Sequence, residues 1–151
     1  MGRVDRVIQQ AERHCKSRGS RLTTKRKQVL MGLVLSNKAV SAYELMDTCK
    51  RAFKENLAAM SVYRILDFLE GEGLVHKLKL ANKYIACAHI TCDHQHAAVQ
   101  FLICSQCSKV EEVHMSKTIL VELDAVVKKV GYARLNNQLE VSGICWDCHA
   151  N

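Results

Sequence analysis

The chain has 151 residues, 48% of them hydrophobic, and a formal net charge of +7; that allows one or two small domains with a core and excludes both a large multidomain enzyme and a disordered chain. Its apolar runs, such as Val29–Val34 with Gly32 inside it, fall far short of the roughly 18 residues of a bilayer span. The first residues, with Arg3, Asp5 and Arg6, lack the apolar stretch of a secretory signal, so a cytoplasmic protein with no membrane partner is expected, where eight cysteines favour metal binding or catalysis over disulfides.

Val4, Ile8, Ala11 and Cys15 follow helical spacing up to Gly19 and predict a first helix over roughly 4–18. Thr23 or Thr24 caps a second, with Val29, Leu30, Leu33 and Val34 inward and Asn37 at its end. Ser41-Ala-Tyr-Glu44 reads as a capping box, in which the Ser hydroxyl and the Glu carboxylate each satisfy an orphan amide. It opens a third helix through Leu45, Met46, Cys49 and Phe53. A turn over Glu55–Met60 leads to a fourth helix starting at Ser61, with Val62, Ile65, Leu66 and Leu69 inward and Gly71 and Gly73 at its end. Leu74–Leu80 and Lys83–Cys87 read as a hairpin turning at Ala81-Asn82. Helices followed by a hairpin spell a winged helix-turn-helix, whose second helix of the pair enters the major groove. Ser61, Tyr63, Arg64 and Asp67 suit the groove-facing side of the fourth helix.

Beyond the hairpin the period changes. Val99, Phe101 and Ile103 alternate with Gln100, Leu102 and Cys104 as a partly buried strand, and Val110–Val113 is another. Ser116 caps a helix with Ile119, Leu120, Leu123, Val127 and Val130 inward and Gly131 as its stop, and Tyr132–Val141 reads as a third strand. A β-β-α-β module of about 60 residues is hard to stabilise alone, and a metal staple or a dimer partner would help. Charge and cysteine divide the same way. Residues 1–80 carry 16 Lys/Arg against 8 Asp/Glu and two cysteines; residues 81–151 carry 6 against 7 and six cysteines. A basic half fits a polyanion partner, with Arg21, Lys25 and Arg26 as phosphate contacts.

Cys104-Ser-Gln-Cys107 with Cys145-Trp-Asp-Cys148 is the strongest chemical signal. Each CxxC turn presents two thiolates, and two turns complete the four-sulfur shell of a structural zinc. Cys145–His149 also spells the CxxCH of c-type haem attachment, a reading that leaves Cys104 and Cys107 unexplained. A second, looser set of His76, Cys87, His89, Cys92, His94, His96, Glu111 and Glu112 crowds the junction of the two halves and suits zinc by its mixed donors. No HExxH, GxGxxG, P-loop or GxSxG occurs, nor the HxE and PCxxC of a zinc deaminase, so neither an enzyme nor a small organic substrate is expected.

Several motifs in order resemble the ferric uptake regulator family of bacterial metalloregulators, and within it the zinc uptake regulator branch. They are Arg21-Leu-Thr-Thr-Lys-Arg26, Ser41-Ala-Tyr-Glu-Leu45, Ser61-Val-Tyr-Arg64 with Leu66-Asp-Phe-Leu69, Gly73-Leu-Val-His76, Tyr84-Ile-Ala-Cys87, and the two CxxC pairs with Val110-Glu-Glu112. The resemblance implies an α+β protein: a winged-helix DNA-binding domain over 1–86, a hinge over 87–97 and a small α/β dimerisation domain over 98–151. It implies two zinc sites per protomer, a structural one on Cys104, Cys107, Cys145 and Cys148 and a regulatory one on His76, Cys87, His96 and Glu112. The stretch from Cys87 to Cys104 is about two residues longer than that branch leads one to expect, which leaves His94 and His89 as alternatives to His96, and Cys92 as an extra thiol. The family's DNA-contact positions fall on Tyr43, Tyr63 and Arg64. The expected function is a homodimeric, zinc-loaded repressor of zinc uptake genes on palindromic operator DNA. The alternative is a redox or iron sensor on the same scaffold.

Overall fold

The structure, a computed structural model, describes residues 2–90, 99–134 and 138–150. His94, His96 and Cys92 therefore lie outside the described residues. The chain divides into two compact units, Met1–His94 and Gln95–Asn151.

The first unit runs α1 (Arg3–Ser17), α2 (Thr24–Ser36), α3 (Ala42–Phe53), α4 (Ala59–Gly71), β1 (Val75–Leu78) and β2 (Lys83–Ala86). Local chemistry sets most boundaries. The Thr23 hydroxyl accepts the Arg26 N–H at the start of α2, and Asn37, at φ 51°, turns the chain out of it. The capping box forms as read: the Ser41 hydroxyl accepts the Glu44 N–H at 3.1 Å while a Glu44 carboxylate oxygen accepts the Ser41 N–H at 2.8 Å. The fourth helix differs from expectation. It begins at Ala59, capped by Ala58 with no side-chain bond, so Ser61 lies inside the first turn and the connection from α3 is the shorter Lys54–Ala58.

Val7, Ala11 and Cys15 of α1, Val29, Leu30 and Leu33 of α2, Leu45 and Cys49 of α3, and Val62, Ile65, Leu66 and Leu69 of α4 form one buried cluster. Gly32 lets α2 approach α3, because a Cβ there would stand 3.0 Å from Leu45 Cδ1 and 3.1 Å from Cys49 Sγ. The wing is an antiparallel β1–β2 ladder with Val75 opposite Ala86 and Leu78 opposite Lys83. Val40 exchanges two backbone bonds with Tyr84, at 2.9 and 2.8 Å, and ties the entry to α3 onto β2.

The second unit runs β3 (Val99–Cys104), β4 (Val110–His114), α5 (Lys117–Lys129), β5 (Leu139–Gly143) and α6 (Trp146–His149). The sheet order is β4-β3-β5; β3 pairs antiparallel with β4 and parallel with β5. Phe101 and Gln100 are buried, and the Gln100 Oε1 accepts the Met115 N–H at 3.2 Å, which satisfies a buried amide oxygen. Two expectations change here. The last strand begins at Leu139 rather than Tyr132, because the Arg134 guanidinium grips Asp124 of α5 at 2.6 Å and the Tyr132 N–H closes the helix end onto the Val127 carbonyl. None of the α5 residues is buried: Leu120, Leu123 and Val127 are half-buried, while Ile119 and Val130, expected inside, stand exposed beside Val121 and Val126.

Overpacking the α2–α3 contact with Gly32→Val should lower the stability of the first unit by about 1–3 kcal/mol. Denaturant midpoints measure it; an unchanged midpoint would mean that the helices have room to separate.

Candidate metal centre and nucleic-acid interface

The parallel register of β3 with β5 sets Cys104 opposite Gly143, two residues before Cys145. A tight turn after β3 carries Cys107, held by the Ser108 N–H to the Cys104 carbonyl at 3.0 Å and by Ser108 in the left-handed region, φ 63°. The Ser105 N–H reaches the Gly143 carbonyl at 2.8 Å and locks this turn to the end of β5. Cys145 then caps the short α6, which carries Cys148. The four Sγ atoms all lie within 4.8 Å of one another, and Cys107 and Cys145 are 3.7 Å apart. A tetrahedral zinc with Zn–S bonds of about 2.3 Å separates its sulfurs by about 3.8 Å, so the set fits such an ion.

The electrostatics agree with a thiolate site. Backbone N–H groups, above all that of Cys145 at 3.4 Å from Cys104 Sγ, lower the Cys104 thiol to about 6. Cys148 is pushed up to about 12, chiefly by hydrogen bonding with Cys145 and Cys107. Four sulfurs this close cannot all ionise without a cation to balance them, and metal binding is coupled to loss of those protons.

In the first unit, β1 carries His76 and the end of β2 leads directly to Cys87, whose N–H bonds the Leu74 carbonyl at 2.9 Å. The donor atoms of His76 and Cys87 lie within 4.8 Å of each other, close enough to share an ion. Cys87 is buried, and its sulfur accepts the His89 N–H at 3.4 Å. Glu112 lies on β4, across the ladder from Phe101.

The α3–α4 pair presents the other chemistry. The buried side of α4 is Val62, Ile65, Leu66 and Leu69, which leaves Ser61, Tyr63, Arg64 and Asp67 outward. Tyr43 is exposed in the first turn of α3, and Arg21 and Lys25 are exposed at the start of α2. Arg26 is placed differently: its guanidinium carbon stands 3.5 Å from the centre of the Phe68 ring, and its Nη1 donates to the Arg21 carbonyl at 2.6 Å. Phe68 belongs to the Leu66-Asp-Phe-Leu69 motif but is given no site role by it, and no local spacing links it to Arg26.

Fold and donor sets define a winged-helix protein joined to a sheet module with a four-cysteine cluster suited to a metal ion. The chain belongs to the ferric uptake regulator family, whose model matches residues 17–142. It is 34% identical over 142 residues to the zinc uptake regulation protein of Escherichia coli (strain K12), covering 94% of this chain and 81% of that one. Among solved structures it is similar to a zinc uptake regulator complexed with zinc and DNA, at 31% identity and a TM-score of 0.84, covering 99% of this chain and 97% of the other. It is also similar to the crystal structure of holo XcZur, at 39% identity and a TM-score of 0.77 over 95% and 97%.

Cobalt(II) added to the reduced, metal-free chain should give sulfur-to-metal charge-transfer absorbance with tetrahedral ligand-field bands. Cys107→Ser and Cys145→Ser should each weaken both. Spectra unchanged in both variants would remove these sulfurs from the donor set.

Proposed function

We propose that this chain is a zinc-responsive transcriptional repressor that binds palindromic operator DNA as a homodimer and controls zinc uptake genes. It is not an enzyme in this reading. The observation that carries it is likeness along nearly the whole chain to a zinc uptake regulator solved with zinc and DNA. In this reading the outward Tyr63 and Arg64 of α4 serve base readout, the exposed Ser61 and Tyr43 add DNA contacts, and Arg21 and Lys25 meet phosphates. Dimerisation would use the apolar surface that α5 leaves open, Ile119, Val121, Val126 and Val130, since exposed apolar patches of this kind mark protein interfaces.

Two zincs per protomer serve separate ends in this account. Cys104, Cys107, Cys145 and Cys148 would hold a structural ion. His76 and Cys87, with Glu112 and one of His96, His94 or His89, would hold a regulatory one. The closeness of a buried thiol to an imidazole supports zinc there, because thiolate and imidazole donors together suit that ion. Bound regulatory zinc would favour the arrangement of the chain that binds DNA by as much as its affinity for that arrangement exceeds its affinity for the others. A coupling of about 1–3 kcal/mol would tighten DNA binding roughly 5- to 150-fold.

Cys87→Ala should give a folded protein that keeps its structural zinc but whose DNA affinity no longer responds to added zinc. A variant that still responds would exclude Cys87 from the regulatory site. Arg64→Ala should flatten sequence preference at one or two base pairs, at a cost of about 1–3 kcal/mol on the preferred duplex. Selection from a random duplex pool reads the preference, and an unchanged selected sequence would remove Arg64 from base readout.

A further inference from the structure

We propose that Arg26 is a positioning residue for sequence readout: it sets the pose of the groove-facing edge of α4 by stacking on Phe68, and it does not contact phosphate. The proposal rests on the reading of α4 as the recognition helix. Four observations carry it. The Arg26 guanidinium covers the Phe68 ring at 3.5 Å. Its Nη1 is held by the Arg21 carbonyl at 2.6 Å, and its own backbone N–H bonds the Thr23 hydroxyl, so the side chain springs from a fixed helix start. Both Arg26 and Phe68 are half-buried, whereas Arg21 and Lys25 are exposed. Finally, α4 has no side-chain cap at Ala58, so its first turn has no capping side chain to orient it.

The helical repeat gives the contact its meaning. Phe68 lies four residues after Arg64 and so shares its flank of α4, and helix side chains lean toward the N-terminus. The Phe68 ring therefore reaches back toward the turn that carries Arg64. An uncovered ring at that spacing is a docking place for the Arg64 guanidinium itself. Arg26 occupies that ring, which keeps Arg64 extended toward base edges and braces α4 against α2. Moving Arg26 to a phosphate would break the stack and the carbonyl bond together.

The test uses the full-length, zinc-loaded chain and two duplexes of equal length. One is selected by the wild type from a random pool and the other is unrelated to it. Affinities are measured across a range of salt for wild type, Arg26→Met, Phe68→Leu, Phe68→Tyr and the Arg26→Met/Phe68→Leu double variant. A positioning role gives Arg26→Met a loss of roughly tenfold on the selected duplex, with the unrelated duplex and the salt slope unchanged. Phe68→Leu should lose as much, the double variant no more than either, and Phe68→Tyr should bind as the wild type does. A phosphate contact would weaken both duplexes alike and shrink the salt slope by roughly 0.9, and that result overturns the proposal. Additive losses in the double variant overturn it too. If circular dichroism shows Arg26→Met unfolded, Arg26→Lys decides: a phosphate contact would keep wild-type binding, and a positioning residue loses the preference for the selected duplex. Failure of the wild type to select any duplex would sink the reading of α4, and this proposal with it, whatever the variants do.

Discussion

The parallel pairing of β3 with β5 sets Cys104 beside Gly143, and the chain needs only two more residues to bring Cys145 against it. The chemistry of the second unit follows from that register. Slipping it by one residue would turn the side chains of β5 to the other face and carry the second CxxC away from the first. The Ser105–Gly143 backbone bond and the Cys145 N–H on the Cys104 sulfur fix it further. The unit has little else to close it. Among the described residues its sheet has three strands, and none of the residues of its long helix is buried. Four sulfurs at one end of the sheet, with a partner on the apolar surface of α5, would supply what so small a core lacks.

The first unit is built the opposite way. Its core is continuous from α1 to the wing, and no metal is needed to explain its packing. That core anchors the buried side of α4 through Leu66 and Leu69, while Tyr63 and Arg64 remain outward. The wing places His76 and Cys87 in the same compact unit as α4, so a ligand gathered there would bear on the unit proposed to read DNA.

Much of this was legible in the sequence because local chemistry decided it. The Ser41–Glu44 box and the Asn37 exit each involve atoms a few residues apart and form as the sequence predicts, and of the two candidate caps for α2, Thr23 and Thr24, the structure uses Thr23. The CxxC pairs were legible because their residue type and spacing have few other uses. Tertiary contacts decided the rest. The start of α4 is not legible, because its cap, Ala58, carries no capping side chain while Ser61, two residues into the helix, does. The last strand is shorter than its apolar pattern predicts, because Arg134 pairs with Asp124 across ten residues, which no period announces. The inward face of α5 is not legible, because apolar residues stand on several sides of it. Arg26, expected from its charge to be a phosphate contact, is half-buried because the fold places Phe68 beneath it, a contact that no local spacing signals.

In the proposed function one zinc builds the protein and a second one switches it. Affinity for a selected duplex, measured against buffered free zinc at fixed salt with metal content assayed at each point, tests it most directly. The account predicts about one zinc per chain throughout, with DNA affinity rising roughly 5- to 150-fold as a second zinc binds. DNA affinity that stays flat once the first zinc is bound would contradict it; zinc would then be a staple only, and iron or an oxidant the signal.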